Sequence, residues 1–597
     1  MYYPTFAEIQ QLRDAAMASS PDKRKKPLLP LYRDILTDLE TPVSAYCKTA
    51  QGPYSFLLES VTGGERVGRY SFIGLDPYMI IMHDGEMAMR YFLQGLNGYR
   101  QGTGGRNELV GPACGPHGEN IPCYDPLQLI EDELDQYHLI IPPHLSQDEL
   151  PRFHGGAVGY LSYETASRFE RLPVPAKNAL GLPLAIFCFT ETVLVFDHAK
   201  HRTRIVTHLH LDAPDLEAEY QRGMAILNDI HHRLRLPMPL LDEPEPVHDE
   251  DALQVTSNRT QSEFEEMVRR SIAYIQAGDV FQVVPSQRLS RHVNAAPFTV
   301  YRALRAVNPS PYMFYLDMQD FHIVGASPEL LVRFEDNEVT IRPIAGTRPR
   351  GIDRQSDQEL AEELQNDIKE RAEHVMLVDL ARNDVGKVCA PGSVQVSEFM
   401  DIERYSHVMH LVSNVTGQLR VDVTPYDAQR AGFPAGTVTG APKIRAMEII
   451  SELEKEQRGV YAGAVGYFSH AGNQETAIAL RTMVIKNGRA YIQAGCGVVA
   501  DSNPTAEYFE SLNKAKALLR ALDEAEQMAD DHRKEAEEQE CGQAQEPGRG
   551  HTTEELGREQ AAEELGRGQA VAPTIATNIG DHHHSQATGG VYVAADR

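Results

Sequence analysis

Lys369-Glu370-Arg371-Ala372-Glu373-His374-Val375-Met376-Leu377-Val378-Asp379-Leu380-Ala381-Arg382-Asn383-Asp384 reads as a helix that carries acid toward a core. Extended backwards, Leu360, Leu364, Ile368, Ala372, Val375 and Val378 fall on one apolar stripe at the helical period. From Val375 onward both sides are apolar, so burial is expected there. Glu370, Glu373, Leu377 and Leu380 share a second face, which brings two carboxylates to buried surface. An unpaired charge is costly in such a place, and a hard cation would satisfy it. The plainer possibility is a solvated helix end on which Lys369 or Arg371 pairs with the glutamates. A second Glu-x-x-Glu, Glu507 and Glu510, lies on a helix opened by Asn503-Pro504, with Tyr508, Leu512, Ala515 and Leu519 as its core stripe. Two such helices converging on one Mg²⁺ would leave places for waters and for oxygens of an anionic substrate.

At 597 residues the chain should form two or three folding units, and a hydrophobic fraction of 42% supplies a large core. A net charge of −28 argues against a nucleic-acid or anionic-membrane partner. Part of that excess is terminal: from Ala521 onward there are 17 acids against 6 basic residues. Seven cysteines without C-x-x-C spacing argue against zinc and against a disulfide framework, and point to a reducing, cytoplasmic setting. Neither a signal peptide nor an apolar run of membrane-spanning length is evident.

Short strands dominate 1–240, and 241–255 is an acidic, proline-rich linker. A capping box at Thr260 and Glu263 then opens a helix. Strands follow, then the acid-bearing helix, a helix from Lys443 to Lys455, and a β-meander with a type I′ turn at Asn487-Gly488. Long helices beside antiparallel sheets define an α+β fold, with the sheets packed together and helices outside, over 256–524 as well as the earlier part. Residues 525–597, with the near-repeat Glu554-Glu555-Leu556-Gly557-Arg558 and Glu563-Glu564-Leu565-Gly566-Arg567, read as a disordered tail.

Gly436-Thr437-Val438-Thr439-Gly440-Ala441-Pro442-Lys443 is no Walker A, but it offers hydroxyls, N–H groups and a lysine to an anion at a helix N-terminus. Arg481 falls on the face of Ala479 and Met483 in an apolar strand, where it would want either a buried carboxylate or a strand-edge partner. Gly495-Cys496-Gly497 lets a ligand approach the backbone. His410 is either a general base or a satisfied core histidine.

Together with Tyr274 to Arg288 and Arg342 to Gly351, these stretches closely resemble the chorismate-utilising enzymes, and within them anthranilate synthase component I, from about Leu31 to Leu522. The resemblance implies that Glu373, Glu507 and Glu510 hold Mg²⁺, with Glu370 close by as the acid that protonates the departing C4 hydroxyl of chorismate. It further implies that Tyr461 and Arg481 bind the enolpyruvyl carboxylate, that Gly346, Thr347, Gly495, Cys496 and Gly497 line the site, and that His410, with Thr437 supporting, assists pyruvate loss. Glu59 and Ser60, with Pro311, Tyr312 and Met313, look like two halves of a tryptophan feedback pocket. Ammonia would come from a separate glutamine amidotransferase subunit, in a heterotetramer, because no cysteine here sits in a nucleophile elbow. Aminodeoxychorismate synthases with a lysine nucleophile carry that lysine where this chain has Ala345. The sequence also leaves room for isochorismate synthesis and for a catalytically idle regulator that binds tryptophan.

Overall fold

The structure is a computed structural model that describes residues 2–544 apart from 20–23, 37, 51, 61–67, 94–98, 102–106, 110–117, 143–149, 248–252 and 406–407. Two twelve-stranded sheets make its frame. The first runs in the order Thr256–Ser257, Ser286–His292, Arg489–Gly495, Thr482–Lys486, His322–Ser327, Tyr312–Asp317, Phe56–Glu59, Tyr70–Gly74, Val193–Asp197, Arg202–His210, Lys26–Ile35, Tyr137–Leu139. Its last pair is parallel. The second starts at Ile344–Pro349 and Val408–Gln418, passes through Leu330–Glu335, Gln474–Ile478, Ala464–Ser469 and Gly156–Leu161, and ends at Glu119–Pro122.

Strand alternation sorts the side chains into layers. Phe56, Tyr32, Val158 and Tyr160 enter a core between the two sheets. Their neighbours turn the other way: Leu57 and Leu31 meet the helices on the first sheet's outer face, and Ala157 and Leu161 meet those on the second's. The α+β expectation of packed antiparallel sheets with helices outside is what the molecule shows.

The expected division at residue 240 is not a domain boundary. Both sheets take strands from each side of it, and Met1–Ala536 is one compact unit. Glu537–Arg597 forms a unit of its own, of which the described part is helical. Nor does the tail begin at 525, because the last helix is Pro504–Ala544 and fully buries Ala525 and Ala529. The repeats near 554–567 lie outside the described residues.

Local signals hold at their own positions. Thr260 and Glu263 form the capping box of helix Gln261–Gln276, and Asn487 and Gly488 both take the positive φ of a type I′ turn. Cys47, Cys123, Cys188, Cys389 and Cys496 are free thiols.

Candidate active site

The acid-bearing stripe is broken by Asp367. Helix Arg354–Asn366 ends there, and Asp367 caps the next, Ile368–Val388, by accepting from the N–H groups of Lys369 and Glu370 at 2.9 and 3.1 Å. The new helix is therefore phased differently from the expected stripe. Ile368 and Val375 are exposed, and His374, Leu377, Val378, Ala381, Asp384 and Val385 face the core. Glu370 and Glu373 border that buried face. Arg348 reaches Glu370 at 3.3 Å while also binding Asp367 and Glu363, both at 2.9 Å. Burial raises the Glu370 pKa, and the Glu373 charge adds to the rise against the pull of Arg348.

Glu373 accepts at 3.0 Å from the amide nitrogen of Gln282, whose amide oxygen is buried and without a partner. Gly497 fits beside both: a Cβ there would stand 2.6 Å from the Gln282 nitrogen and 3.8 Å from a Glu373 oxygen. The preceding residue, Cys496, bonds to Glu507, and burial pushes its thiol well up. The strand end Gly495–Gly497 thus connects the acids of the two helices. Burial raises the Glu507 pKa, the Glu510 charge contributes, and one Glu507 oxygen is buried without a partner. Glu510 is paired with Lys514 at 2.9 Å. Among the described residues no three of these groups already stand at metal-binding distance. The donor set is nevertheless all hard oxygen, and the orphaned Glu507 atom is one that a cation would satisfy, so the residues fit magnesium with waters and a substrate carboxylate completing the shell.

Arg481 does not sit in a strand. Strand Gln474–Ile478 ends in the second sheet and Thr482–Lys486 begins in the first, so Arg481 lies on the crossing between sheets with φ +47°. A second crossing runs beside it, from His322–Ser327 in the first sheet to Leu330–Glu335 in the second. Ala326 donates to the Arg481 carbonyl and Ile478 to the Glu329 carbonyl, both at 3.1 Å. Burial lowers the Arg481 pKa, and no carboxylate pairs with it among the described residues. It is close enough to His410 to help burial lower that pKa too. His410 Nδ1 lies 2.8 Å from the Gly346 carbonyl, which can only accept, so Nδ1 carries the proton and Nε2 is left basic. The Thr347 hydroxyl is 3.2 Å from the same nitrogen. Tyr461 is buried with its hydroxyl against Gly495.

Glu329 escaped the sequence reading. It stands at this double crossing, buried, and its pKa is pushed up to about 8 by burial, against hydrogen bonds from the Thr437 hydroxyl at 3.1 Å and the Ile344 N–H. Its signal was an acid among apolar strand residues, Ala326-Ser327-Pro328-Glu329-Leu330-Leu331. Gln282, polar within Val280-Phe281-Gln282-Val283-Val284, is a second such omission. Lys443 is not open to an anion: it is buried, donating to Asp384 at 2.8 Å.

Glu59 and Met313 pair across neighbouring strands at the rim of a different cavity, of about 1280 Å³, which Ser60, Pro311 and Tyr312 also line. None of Glu370, Glu373, His410 or Arg481 borders it. Glu59 is buried and accepts from Tyr301 at 2.5 Å and from Arg305 at 3.0 Å, both on helix Pro297–Val307, and the Ser60 hydroxyl is buried without a partner.

Comparison with known proteins fits this geometry. The chorismate binding enzyme family model matches residues 116–520. Anthranilate synthase component 1 of Pseudomonas aeruginosa is 46% identical over 506 residues, 84% of this chain and 96% of that one. The Acetivibrio thermocellus protein of the same name is 42% identical over 534 residues, 88% and 99% of the two chains. The crystal structure of anthranilate synthase component I from Streptococcus pneumoniae superposes with a TM-score of 0.63 at 36% identity, covering 82% of this chain and 99% of that one. The Escherichia coli isochorismate synthase MenF, at 17% identity and TM-score 0.59 over 86% of this chain and 100% of that one, shares the fold. The chain belongs to the chorismate binding enzymes, on their anthranilate synthase component 1 branch.

Proposed function

We propose that the protein is the aminase subunit of an anthranilate synthase, converting chorismate and ammonia to anthranilate and pyruvate. The observation that carries this reading is the double crossing. It runs the crossing of Arg481, a half-buried guanidinium with no carboxylate partner among the described residues, alongside that of Glu329, a buried carboxyl whose pKa lies near 8. A dicarboxylate substrate supplies the missing partner, and a carboxyl still protonated at neutral pH supplies a proton.

Arg481 and the Tyr461 hydroxyl take the enolpyruvyl carboxylate. Gln282 offers its orphaned amide oxygen to an N–H of ammonia as nitrogen adds at C2. The C4 hydroxyl must leave as water, and Glu329, aligned by Thr437, is the donor with the higher pKa, while Glu370, whose pKa burial also raises, has that rise opposed by Arg348. His410 Nε2 then receives the C2 proton as pyruvate departs and the ring becomes aromatic. Glu373, Glu507 and Glu510 would hold Mg²⁺, which when bound supplies Lewis acidity and a clamp for the ring carboxylate. Gly346, Thr347, Gly495, Cys496 and Gly497 form the walls, glycine sparing space at three positions. A glutamine amidotransferase subunit, in a cytoplasmic heterotetramer, would deliver ammonia. Tryptophan would occupy the Glu59 cavity, with Ser60, Pro311, Tyr312 and Met313 around it. Among the described residues no helix is long and apolar enough to cross a membrane.

The test is the fluorescent product formed from chorismate, Mg²⁺ and ammonium at mildly alkaline pH, with pyruvate measured in parallel and tryptophan added in a second series. Anthranilate and pyruvate in equal amounts, suppressed by tryptophan, support the reading. An aminated chorismate without pyruvate would make the protein an aminodeoxychorismate synthase, isochorismate would make it an isochorismate synthase, and tryptophan binding without turnover would make it a regulator.

A further inference from the structure

Arg458 lies outside the set of groups named above, yet its buried guanidinium reaches the backbone of two segments that carry them. Nε and one terminal nitrogen grip both oxygens of Glu454, at the end of helix Lys443–Glu454, at 2.9 and 2.5 Å. The remaining bonds go to two backbone carbonyls: Val438 at 2.9 Å and Val284 at 2.6 Å. Val438 follows Thr437, the residue that bonds Glu329, and Val284 lies two positions beyond Gln282, which bonds Glu373. The same guanidinium lies 5.5 Å from the ring centre of Tyr461. Glu454 extends the tie, accepting from the Ser286 N–H at 2.8 Å and hydroxyl at 2.9 Å, and Ser286 pairs with Gly495 across the sheet.

A buried ion pair is a poor stabilising device, since apolar residues of the same volume often do as well. What a planar fork with five donors adds is fixed direction. Here that direction holds separate loops in mutual register, as a supporting shell does around reacting groups.

We propose that Arg458 is a positioning residue for the chorismate site, setting Thr437, Gln282 and Tyr461 at once through the Val438 and Val284 carbonyls and its contact with the Tyr461 ring. This rests on the reaction assigned above, so the wild-type protein is assayed first: absence of anthranilate formation there would refute that assignment and not this one.

Arg458→Lys keeps the charge and the pairing with Glu454 but lacks the fork. With the wild type active, the variant should fold, by circular dichroism and a cooperative denaturation curve. Its kcat should fall about a hundredfold while the KM for chorismate moves little, as expected when reacting groups are displaced by about an ångström. The decisive measurement is a double-variant cycle with Thr437→Ala. If Arg458 acts through Thr437, the combined loss should fall well short of the product of the two single losses. Glu454→Gln, which retains an acceptor for Arg458, should repeat the pattern at smaller size and serves if Arg458→Lys does not fold. Losses that multiply, an unchanged kcat with lowered stability, or failure of both variants to fold would overturn the proposal and make Arg458 a stability element.

Discussion

At the scale of single residues, reactivity here follows from which charges were left without partners. Glu329 has one hydroxyl and one N–H near it and no cation, so burial dominates and its carboxyl stays protonated to about pH 8. Glu329→Gln preserves the shape but not the proton and should reduce anthranilate formation by about two to four orders of magnitude. On the acid role proposed for Glu329, wild-type kcat should fall as pH rises through about 8, and the variant's residual rate should lack that limb. A wild-type profile flat to pH 9.5 would remove Glu329 from the acid role. Glu59 is the opposite case, a buried carboxylate already held by Arg305 and Tyr301. Glu59→Gln should weaken tryptophan inhibition about tenfold or more by removing a charge-assisted bond to an ammonium group, with most of the uninhibited turnover retained. Inhibition as tight as in the wild type would place tryptophan elsewhere.

Secondary-structure elements were legible where their signal is local. The Thr260 capping box, the Asn487-Gly488 turn and helix Lys443–Glu454 depend on a few adjacent residues, and each stands where its sequence puts it. Asp367 and Arg481 were misread for a shared reason. Each interrupts a run whose hydrophobic pattern continues across it, Leu364 to Val378 in one case and Ala477 to Val484 in the other, and the interruption is imposed by the next layer of the fold. Asp367 satisfies two N–H groups at the helix start, so Asp367→Ala should lower the denaturant midpoint. It should also cut turnover several-fold, because Arg348 loses a partner and Glu370 its orientation; turnover unchanged at that stability cost would show the break to be purely architectural. A histidine cluster between strands contributes acid sensitivity, alongside His374, which burial lowers to about 4. His154 and His208 are buried 3.1 Å apart, and burial first, then Arg204 for one and His154 for the other, holds both well below the ordinary value, His154 at about 4. His470 beside them is depressed in the same way, whereas at His210 burial, the largest single influence, is outweighed by the bond to Glu191 together with the charges of Glu191 and Glu219, and the value rises. The unfolded chain therefore binds more protons than the folded one between about pH 6.5 and 4, and stability should fall across that window as pH falls. His154→Phe should flatten the decline in an equilibrium denaturation series.

For the whole molecule, the candidate active site stands where the chain passes between the two sheets. Two chain segments pass between the sheets side by side, and Arg481 and Glu329 stand on those crossings because a crossing is where backbone leaves the ladder and a side chain can be turned out of a packed face. Both crossings belong to the chain beyond residue 256, but the sheets they join continue into strands from before 240, which is why no boundary stands at 240. The same interleaving explains the C-terminal helix. Glu243, from the stretch read as a linker, is buried against the start of helix Pro297–Val307, accepting from the Ala296 N–H at 2.7 Å and the Thr299 hydroxyl at 2.6 Å. His532, beyond the expected tail boundary, closes that arrangement at 2.8 Å from Glu243, and Arg533 donates to the Pro244 carbonyl at 3.0 Å. Helix Pro297–Val307 in turn supplies Tyr301 and Arg305 to Glu59, so His532 is three contacts from the proposed tryptophan cavity. A chain ending at residue 524 should be less stable, because the Glu243 carboxylate loses His532 and keeps only the Ala296 and Thr299 donors, and its tryptophan inhibition should weaken as helix Pro297–Val307 loosens. A chain ending at residue 544 keeps every one of these contacts and should match the full-length protein in denaturation midpoint, anthranilate formation and tryptophan response. Equal behaviour of the two truncated chains would show that 525–544 serves neither packing nor regulation. A defect shared by both would assign a role to 545–597, which its composition, poor in apolar residues and rich in Glu, Gln and Gly, gives no physical reason to expect.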